Sequence, residues 1–408
     1  MRLEITDMAF GGDGVGRGPD GGVVFVPFAA PGETVEVEVV SRHKRFSRAR
    51  LVSVVSASPD RVAPVCPWFG RCGGCQYQHL AYPVQAAIKQ RQATEVLRRL
   101  GGLAAVPAWD AVVAASSPYG YRNKLRMEGL ARATAGEIPD WGFVALDNQC
   151  VLPVDACPLA KAELLAHVPE AKADGRNRFV IGRETPPPLT LRLPADGGPV
   201  HFFGDPPPAG WPCLQEKLDG RPVEVPAGSF WQVNPEVAPQ LLATLRRWAA
   251  DTPRPVLVDA YGGVGAFALV LTGGNPAIRQ TVVVEADRAA AAVARRNLAA
   301  WTVPGAEVLA MPAETALPRL AARFSAADAA VLLDPPRGGC HAGLLAALAT
   351  WRPASLFYVS CHPASLARDL RILRETGGYC PRRIAWFDMF PQTAHFELAV
   401  ELGREPGV

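Results

Sequence analysis

The sequence predicts an α/β protein in three parts: a small antiparallel β unit over residues 1–58, an irregular cysteine-bearing segment over 59–225, and a doubly wound, largely parallel sheet over 226–408. Three observations predict it. After Pro226, apolar runs of strand length alternate with helical stretches rich in Ala, Leu and Arg. Three of those runs end in an acid, at the edge where open α/β sheets bind ligands. Near the amino terminus, Thr34-Val35-Glu36-Val37-Glu38-Val39 alternates with period two, as a strand with one wet face does.

Size and composition set the bounds. At about 150 residues per domain, 408 residues make two to three domains. With 49% apolar and 20% charged residues, wholesale disorder and a coiled-coil rod are excluded. Gly 38 and Pro 39 without a G-X-Y period exclude collagen and predict many tight turns. The longest apolar runs, such as Ala329 to Leu333, stop short of the roughly 18 to 20 residues of a membrane span. The opening M-R-L-E-I-T-D has no signal-like apolar core, so a cytoplasmic monomer with no membrane partner is the expectation. A net charge of +3 is too small for bulk polyanion binding and leaves nucleic-acid contact to local basic patches. Nine cysteines, an odd number, argue against a disulfide framework and for metal, cluster or catalytic roles.

In the first part, Gly11, Gly12, Gly14, Gly16 and Gly18 crowd one expected loop. Val23 to Val26 is a short strand and Pro31-Gly32 a turn. Arg42, His43, Lys44, Arg45, Arg48 and Arg50 surround Phe46, suited to phosphate contact or to blunting a strand edge.

The middle part has a helical pattern over Val84 to Leu100 and proline-rich loops at Asp205-Pro206-Pro207-Pro208 and Trp211-Pro212. It opens on Cys66-x5-Cys72-x2-Cys75, whose two intervening glycines let thiolates converge. Cys150 and Cys157 are both candidates for a fourth ligand. Structural zinc usually takes two short Cys pairs; a set of three plus one favours iron–sulfur. The spacing is not the C-x3-C-x2-C of radical enzymes.

In the last part, Val256 to Phe267 reads as a strand, a glycine turn and a helix start. Asp259 and Glu285 end neighbouring strands without a G-x-G-x-x-G, which favours S-adenosylmethionine over a pyrophosphate cofactor. Asp334-Pro335-Pro336-Arg337 ends a third strand in a rigid ledge suited to a planar base. Cys361 follows a fourth strand and opens a helix, whose dipole favours a thiolate; a small core cysteine is the plainer reading. Asp388, His395 and Glu397 crowd the tail as candidate proton acceptors.

With these motifs in this order, joined by Phe230-Trp231-Gln232-Val233-Asn234 and D-M-F-P-x-T-x-H-x-E, the chain resembles the RNA uracil-C5 methyltransferases along almost its whole length. The resemblance implies an amino-terminal TRAM-like barrel of the OB type, a central α+β domain with a [4Fe–4S] cluster, and a Rossmann-like S-adenosylmethionine-dependent domain. It further implies that Gln232, Tyr261, Glu285 and Asp334 bind the cofactor, that Cys361 is the nucleophile and Glu397 the base, and that Cys66, Cys72, Cys75 and Cys157 hold the cluster. It also favours 23S ribosomal RNA over transfer RNA as partner. Ala266 and Met311-Pro312-Ala313 depart from the polar residues of some relatives.

The residues suit that chemistry. Uracil C5 attacks a sulfonium methyl only after a thiolate has added to C6, and Cys361 is placed to add. Glu397, expected to be ionised at neutral pH, would then take the C5 proton. Arg122, Lys124 and Arg126, beside Tyr119 and Tyr121, would hold the strand around a flipped base. An N-methyltransferase without need of Cys361, or a cluster-bearing RNA-binding protein with an inert transferase domain, are the alternatives.

Overall fold

The computed structural model describes residues 1–131, 138–179, 185–208 and 210–404. Strands β1 (Arg2–Met8), β2 (Asp13–Arg17), β3 (Val23–Pro27), β4 (Thr34–Arg42) and β5 (Phe46–Ser56) close into a barrel in the order β1-β2-β3-β5-β4. Leu3, Ile5, Val24, Val26, Val35 and Val37 fill it, while the interleaved Glu4, Glu36 and Glu38 stay wet. The glycine-crowded stretch expected as a loop is largely strand β2. A Cβ on Gly14 would stand 2.7 Å from the Ala29 carbonyl oxygen, and one on Gly16 2.7 Å from that of Glu4, so these glycines allow close strand approach. The basic stretch forms the β4–β5 hairpin tip, where the His43 ring stacks on Phe46 at 4.5 Å.

Helix α1 (Tyr82–Arg99) and strand β6 (Trp109–Val113) come next. Then follow β7 (Lys124–Gly129), β8 (Trp141–Val144), β9 (Val151–Leu152), α2 (Ala162–Arg178), β10 (Leu189–Arg192) and β11 (Val200–Phe203). The five strands β11-β10-β7-β8-β9 make an antiparallel sheet. Leu125, Met127 and Trp141 on its inner face pack against Leu164, Val168 and Ala171 of α2. A hairpin of β12 (Cys213–Leu218) and β13 (Arg221–Pro226) leads on.

The remainder alternates as the sequence predicts: α3 (Ala238–Asp251), β14 (Val256–Ala260), α4 (Ala266–Thr272), β15 (Gln280–Val284), α5 (Arg288–Ala300), β16 (Ala306–Leu309), α6 (Ala313–Arg323), β17 (Ala329–Leu333), α7 (Ala342–Trp351), β18 (Ser355–Ser360), α8 (Pro363–Gly377), β19 (Tyr379–Phe387) and β20 (Glu397–Arg404). They build an eight-stranded sheet in the order β16-β15-β14-β17-β18-β20-β19-β6, in which β20 runs against both its neighbours. Val256, Val258 and Ala260 face a core shared with α1, α6, α7 and α8, and Leu257 faces one shared with α3, α4 and α5. Burial on both faces is why these strands read as unbroken apolar runs.

Strand β6 reaches this sheet from the middle segment by pairing with β19, and α1 packs Ala93 and Leu97 into the same core as Leu366 and Leu370. The strand order reverses between β14 and β17, which opens a crevice at their carboxyl ends. No helix among the described residues is long and apolar enough to cross a membrane.

Candidate active site

Three carboxylates meet at that crevice. Asp259, fully buried near the end of β14, accepts a hydrogen bond from the Ala268 amide at 3.0 Å through Oδ2, which ties the start of α4 to the strand; its Oδ1 has no partner among the described residues. Glu285, just past β15, accepts from the Gly263 amide at 2.8 Å and the Asp287 amide at 2.7 Å. Burial pushes Asp259 up to about 7, and the Asp334 and Glu285 charges add to it. Asp334 rises to about 7 through burial as well. Tyr261 holds a left-handed backbone (φ 63°), and its hydroxyl accepts from the His341 amide at 3.4 Å. A Cβ on Gly262 would strike Val283 Cγ1 at 2.6 Å, whereas one on Gly263 would meet open space. The turn is therefore packed hard against β15 and bare on its outer side.

A second group lies one strand over. Ser360 of β18 pairs with Leu398 of β20, so the antiparallel register sets Cys361 against Glu397 at the same edge. Asp334 and Arg337 complete the group, close enough that their charges act on Cys361 and Glu397. Burial pushes the thiol up to about 11; Glu397 pushes the same way and Arg337 the opposite. The expected lowering by the α8 dipole is overturned. His362 Nδ1 already takes the Ser365 amide, and Pro363 at the first helical position has no N–H to offer. Glu397 likewise departs from the expectation of ready ionisation: burial, reinforced by Asp334, raises it well above the ordinary carboxyl range, and its Oε2 has no partner among the described residues. Arg337, to which the sequence reading assigns no role, is the cation of this group. Its place directly after the two prolines of the ledge was the available signal.

The loop before Glu397 is held from outside the sheet. Asp388 accepts from Lys89 Nζ of α1 at 2.8 Å, both side chains fully buried, so this candidate proton acceptor is instead half of an ion pair. The same ammonium reaches the Phe390 carbonyl at 3.2 Å. Tyr121 donates its hydroxyl to the Pro391 carbonyl, and the amides of Gln76 and Tyr77 both donate to the Gln392 carbonyl. Gln76 Oε1 takes the Ala394 amide at 3.1 Å, and Gln85 bonds both the side chain and the amide of Gln392. His395 is pushed down to about 4, by burial first and then by Arg337 and other nearby cations, which leaves it neutral at pH 7.

Gln232 stands apart from the carboxylates in its bonding. It sits half-buried before α3, its carbonyl accepting from Asn123 Nδ2 at 3.1 Å. Asn234 Oδ1 accepts the amides of Glu236 and Val237 just before α3, and its Nδ2 donates to the Met389 carbonyl.

The cysteine loop lies directly upstream of the Gln76 clamp. Cys66, Cys72, Cys75 and Cys157 come near enough that their charges act on one another, and burial raises Cys75 to about 12. Arg122 lies beside Cys72, Cys75 and Cys157 and above the Tyr121 ring at 5.9 Å, so it points to the cysteines rather than to an outer RNA face. Cys150 is exposed, and its amide is taken by Asp147. Among the described residues, no group of three or more His, Cys, Asp or Glu has spacing ready to hold a metal ion.

The chain is similar to known proteins over nearly its whole length. The family model of tRNA (uracil-5-)-methyltransferases matches residues 219–405, and that of the TRAM domain residues 1–52. An RNA methyltransferase of Gloeobacter violaceus is 33% identical, covering 99% of this chain and 96% of its own. The 23S rRNA (uracil(1939)-C(5))-methyltransferase of Shewanella amazonensis is 32% identical, covering 92% of this chain and 90% of its own. The structure of Pyrococcus abyssi tRNA (uracil-54, C5)-methyltransferase in complex with S-adenosyl-L-homocysteine superposes with a TM-score of 0.71 over 98% of this chain and all of that one, at 24% identity, and so shares the fold. With a full-length relative above 30% identity, the chain belongs to the RNA uracil-C5 methyltransferase family.

Proposed function

We propose that this protein methylates C5 of a uridine in RNA, 23S ribosomal RNA ahead of transfer RNA, with S-adenosylmethionine as donor and Cys361 as covalent nucleophile. The observation that carries it is the cross-strand placement of Cys361 against Glu397, with Asp334 and Arg337 beside them. The crevice suits the cofactor: a buried Asp259 oxygen without a partner, a bare outer side at Gly263, and Glu285 one strand across. Gln232, Tyr261, Glu285 and Asp334 are the residues assigned to hold it. Bound there, S-adenosylmethionine supplies an electrophilic methyl group on a positively charged sulfur, and that charge favours ionised carboxylates around it.

Cys361, held as a thiol by burial, passes its proton to solvent water, with Arg337 alongside to stabilise the thiolate. The thiolate adds to C6 of uracil, and C5 of the resulting enolate takes the methyl group. Glu397 then accepts the C5 proton, and the sulfur–C6 bond breaks to return Cys361 as a thiolate. The Shewanella relative's ribosomal substrate supports the order of preference among RNAs. Mapping 5-methyluridine in ribosomal and transfer RNA from cells with and without the gene tests the reading. Loss of one 23S position is expected; loss from transfer RNA moves the substrate, and no loss anywhere contradicts the function. Methyl transfer to an exocyclic amine, indifferent to Cys361→Ala, would restore the N-methyltransferase alternative.

We infer further that Cys66, Cys72, Cys75 and Cys157 hold an iron–sulfur cluster, with Arg122 offsetting the negative charge of the ligated thiolates. The donor set supports it: four thiols and a cation, with Cys150 exposed and outside the group. Anaerobically purified protein should carry about four irons per chain. Cys157→Ser should bleach it and Cys150→Ser should not; colourless protein with one zinc would end the inference.

A further inference from the structure

Lys124 is a cation crowded by cations. Strand β7 turns Leu125 and Met127 into the core and leaves Lys124, Arg126 and Glu128 on the opposite face. The register sets Lys124 across from Arg192 of β10 and Arg126 across from Thr190. Arg192 is buried and bonded to Glu216 of β12 at 3.1 Å, and Arg126 pairs with Glu128 at 3.4 Å and Asp205 at 3.2 Å. Both guanidinium groups therefore have acids of their own. Asp205, whose charge also reaches Lys124, is held by Arg126, and among the described residues no acid forms an ion pair with Lys124 itself. The three acids of this face are bonded to its two arginines, and among the described residues its ammonium is left without one.

The position of Lys124 says where an anion for it would come from. Arg192 Nη1 holds the carbonyls of Ala227 at 3.1 Å and Ser229 at 3.3 Å. Asn123, next to Lys124, donates its side chain to the Gln232 carbonyl and its amide to the Val233 carbonyl. The cationic face thus borders segment 227–233, which carries Gln232 and presents Phe230 at 67% exposure. A nucleic-acid strand lying there has a ring to stack on and an unsatisfied ammonium within the same stretch of surface.

We propose that Lys124 contacts a backbone phosphate of the RNA substrate on the strand flanking the methylated uridine, in an anion site shaped by Arg126 and Arg192. This rests on the RNA methyltransferase reading given above. Burial, and next the two arginines, push the Lys124 amine down to about 8, with Asp205 opposing. A phosphodiester held against the ammonium stabilises the charged form and raises it again. Below about 8 the free amine is already charged and binding is insensitive to pH; above it, each binding event takes up a proton and affinity falls by about tenfold per pH unit. The charged groups facing the amine are Arg126, Arg192 and Asp205, with Glu128 and Glu216 paired to the arginines.

The test is the affinity of the full-length protein for labelled polyuridylate, measured against salt and against pH. Wild type should weaken above about 8. Lys124→Ala should reduce the salt slope by about one phosphate contact and lose the alkaline weakening. Lys124→Arg, always charged, should keep the slope and lose only the pH dependence. A wild-type slope and pH profile in Lys124→Ala overturns the phosphate contact. Competition by inorganic phosphate as strong as that of polyuridylate at equal ionic strength assigns the site to free phosphate and also overturns it. If wild-type protein methylates no RNA at all, the failure lies in the parent reading instead.

Discussion

Asp259, Glu285, Asp334 and Cys361 reach the edge of the sheet by one route, and Glu397 by another. The first four end or follow parallel strands, so the fold's own topology delivers them to one crevice. Glu397 begins an antiparallel strand after a loop whose carbonyls and side chains are held by Lys89, Gln76, Tyr77, Gln85 and Tyr121, all from far earlier in the chain. The cofactor side is thus secured by local rules and the proton-accepting side by a set of long-range clamps. Damage to α1 or to the segment after Cys75 should therefore injure the second half of the site and spare the first.

The largest expected break is at Lys89. Lys89→Met leaves Asp388 charged and buried without a partner, which should cost about 3–5 kcal/mol in urea unfolding. Replacing Asp388 by Leu in the same protein should recover much of it, since a buried pair is costly mainly when one member remains.

On the cofactor side the sensitive variable is pH. Asp259 and Asp334, both raised to about 7, contribute stability to the cofactor-free protein that is fully present below the ordinary aspartate value of about 4 and lost as pH rises through about 7. Urea midpoints should accordingly fall between those limits, and Asp259→Asn should flatten the fall. An unchanged slope in that variant would remove Asp259 from the account.

Gln76→Ala is expected to act most gently. It removes the bonds to the Ala394 amide and the Gly73 carbonyl, about 1–2 kcal/mol in all, while the backbone bonds to Gln392 persist. Amide exchange should quicken in residues 388–396 and not around Gly262 and Gly263. A uniform rise across both regions would show that the two halves are not independently held.

The same contrast explains how far the sequence could be read. Asp259, Glu285 and Asp334 were legible because an acid at the end of a buried apolar run implies its own position. The place of Cys361 at the end of β18 was legible but not its ionisation: the dipole of α8 is a local signal, whereas the burial that opposes it comes from strands far away in sequence. Asp388 read as a candidate proton acceptor because nothing near it in sequence announces Lys89. Gly14 and Gly16 read as a loop because the neighbouring strands that require them lie outside their own window. Strand β6 is a short, half-exposed edge whose pattern carries no mark of the sheet it joins. The amino-terminal β unit and the doubly wound domain were legible because alternation and buried runs are signals within a few residues, whereas a TRAM-like barrel was implied only by the family resemblance.

The covalent mechanism is tested most directly in Glu397→Gln. With the nucleophile intact and the proton acceptor removed, the enzyme should add to C6 and transfer the methyl group but stall before elimination. A protein–RNA adduct carrying label from methyl-labelled S-adenosylmethionine should survive a denaturing gel, and Cys361→Ala should give neither adduct nor product while still binding cofactor. An adduct or full turnover in Cys361→Ala would contradict the covalent mechanism; normal turnover in Glu397→Gln would leave the nucleophile standing and take the proton from Glu397.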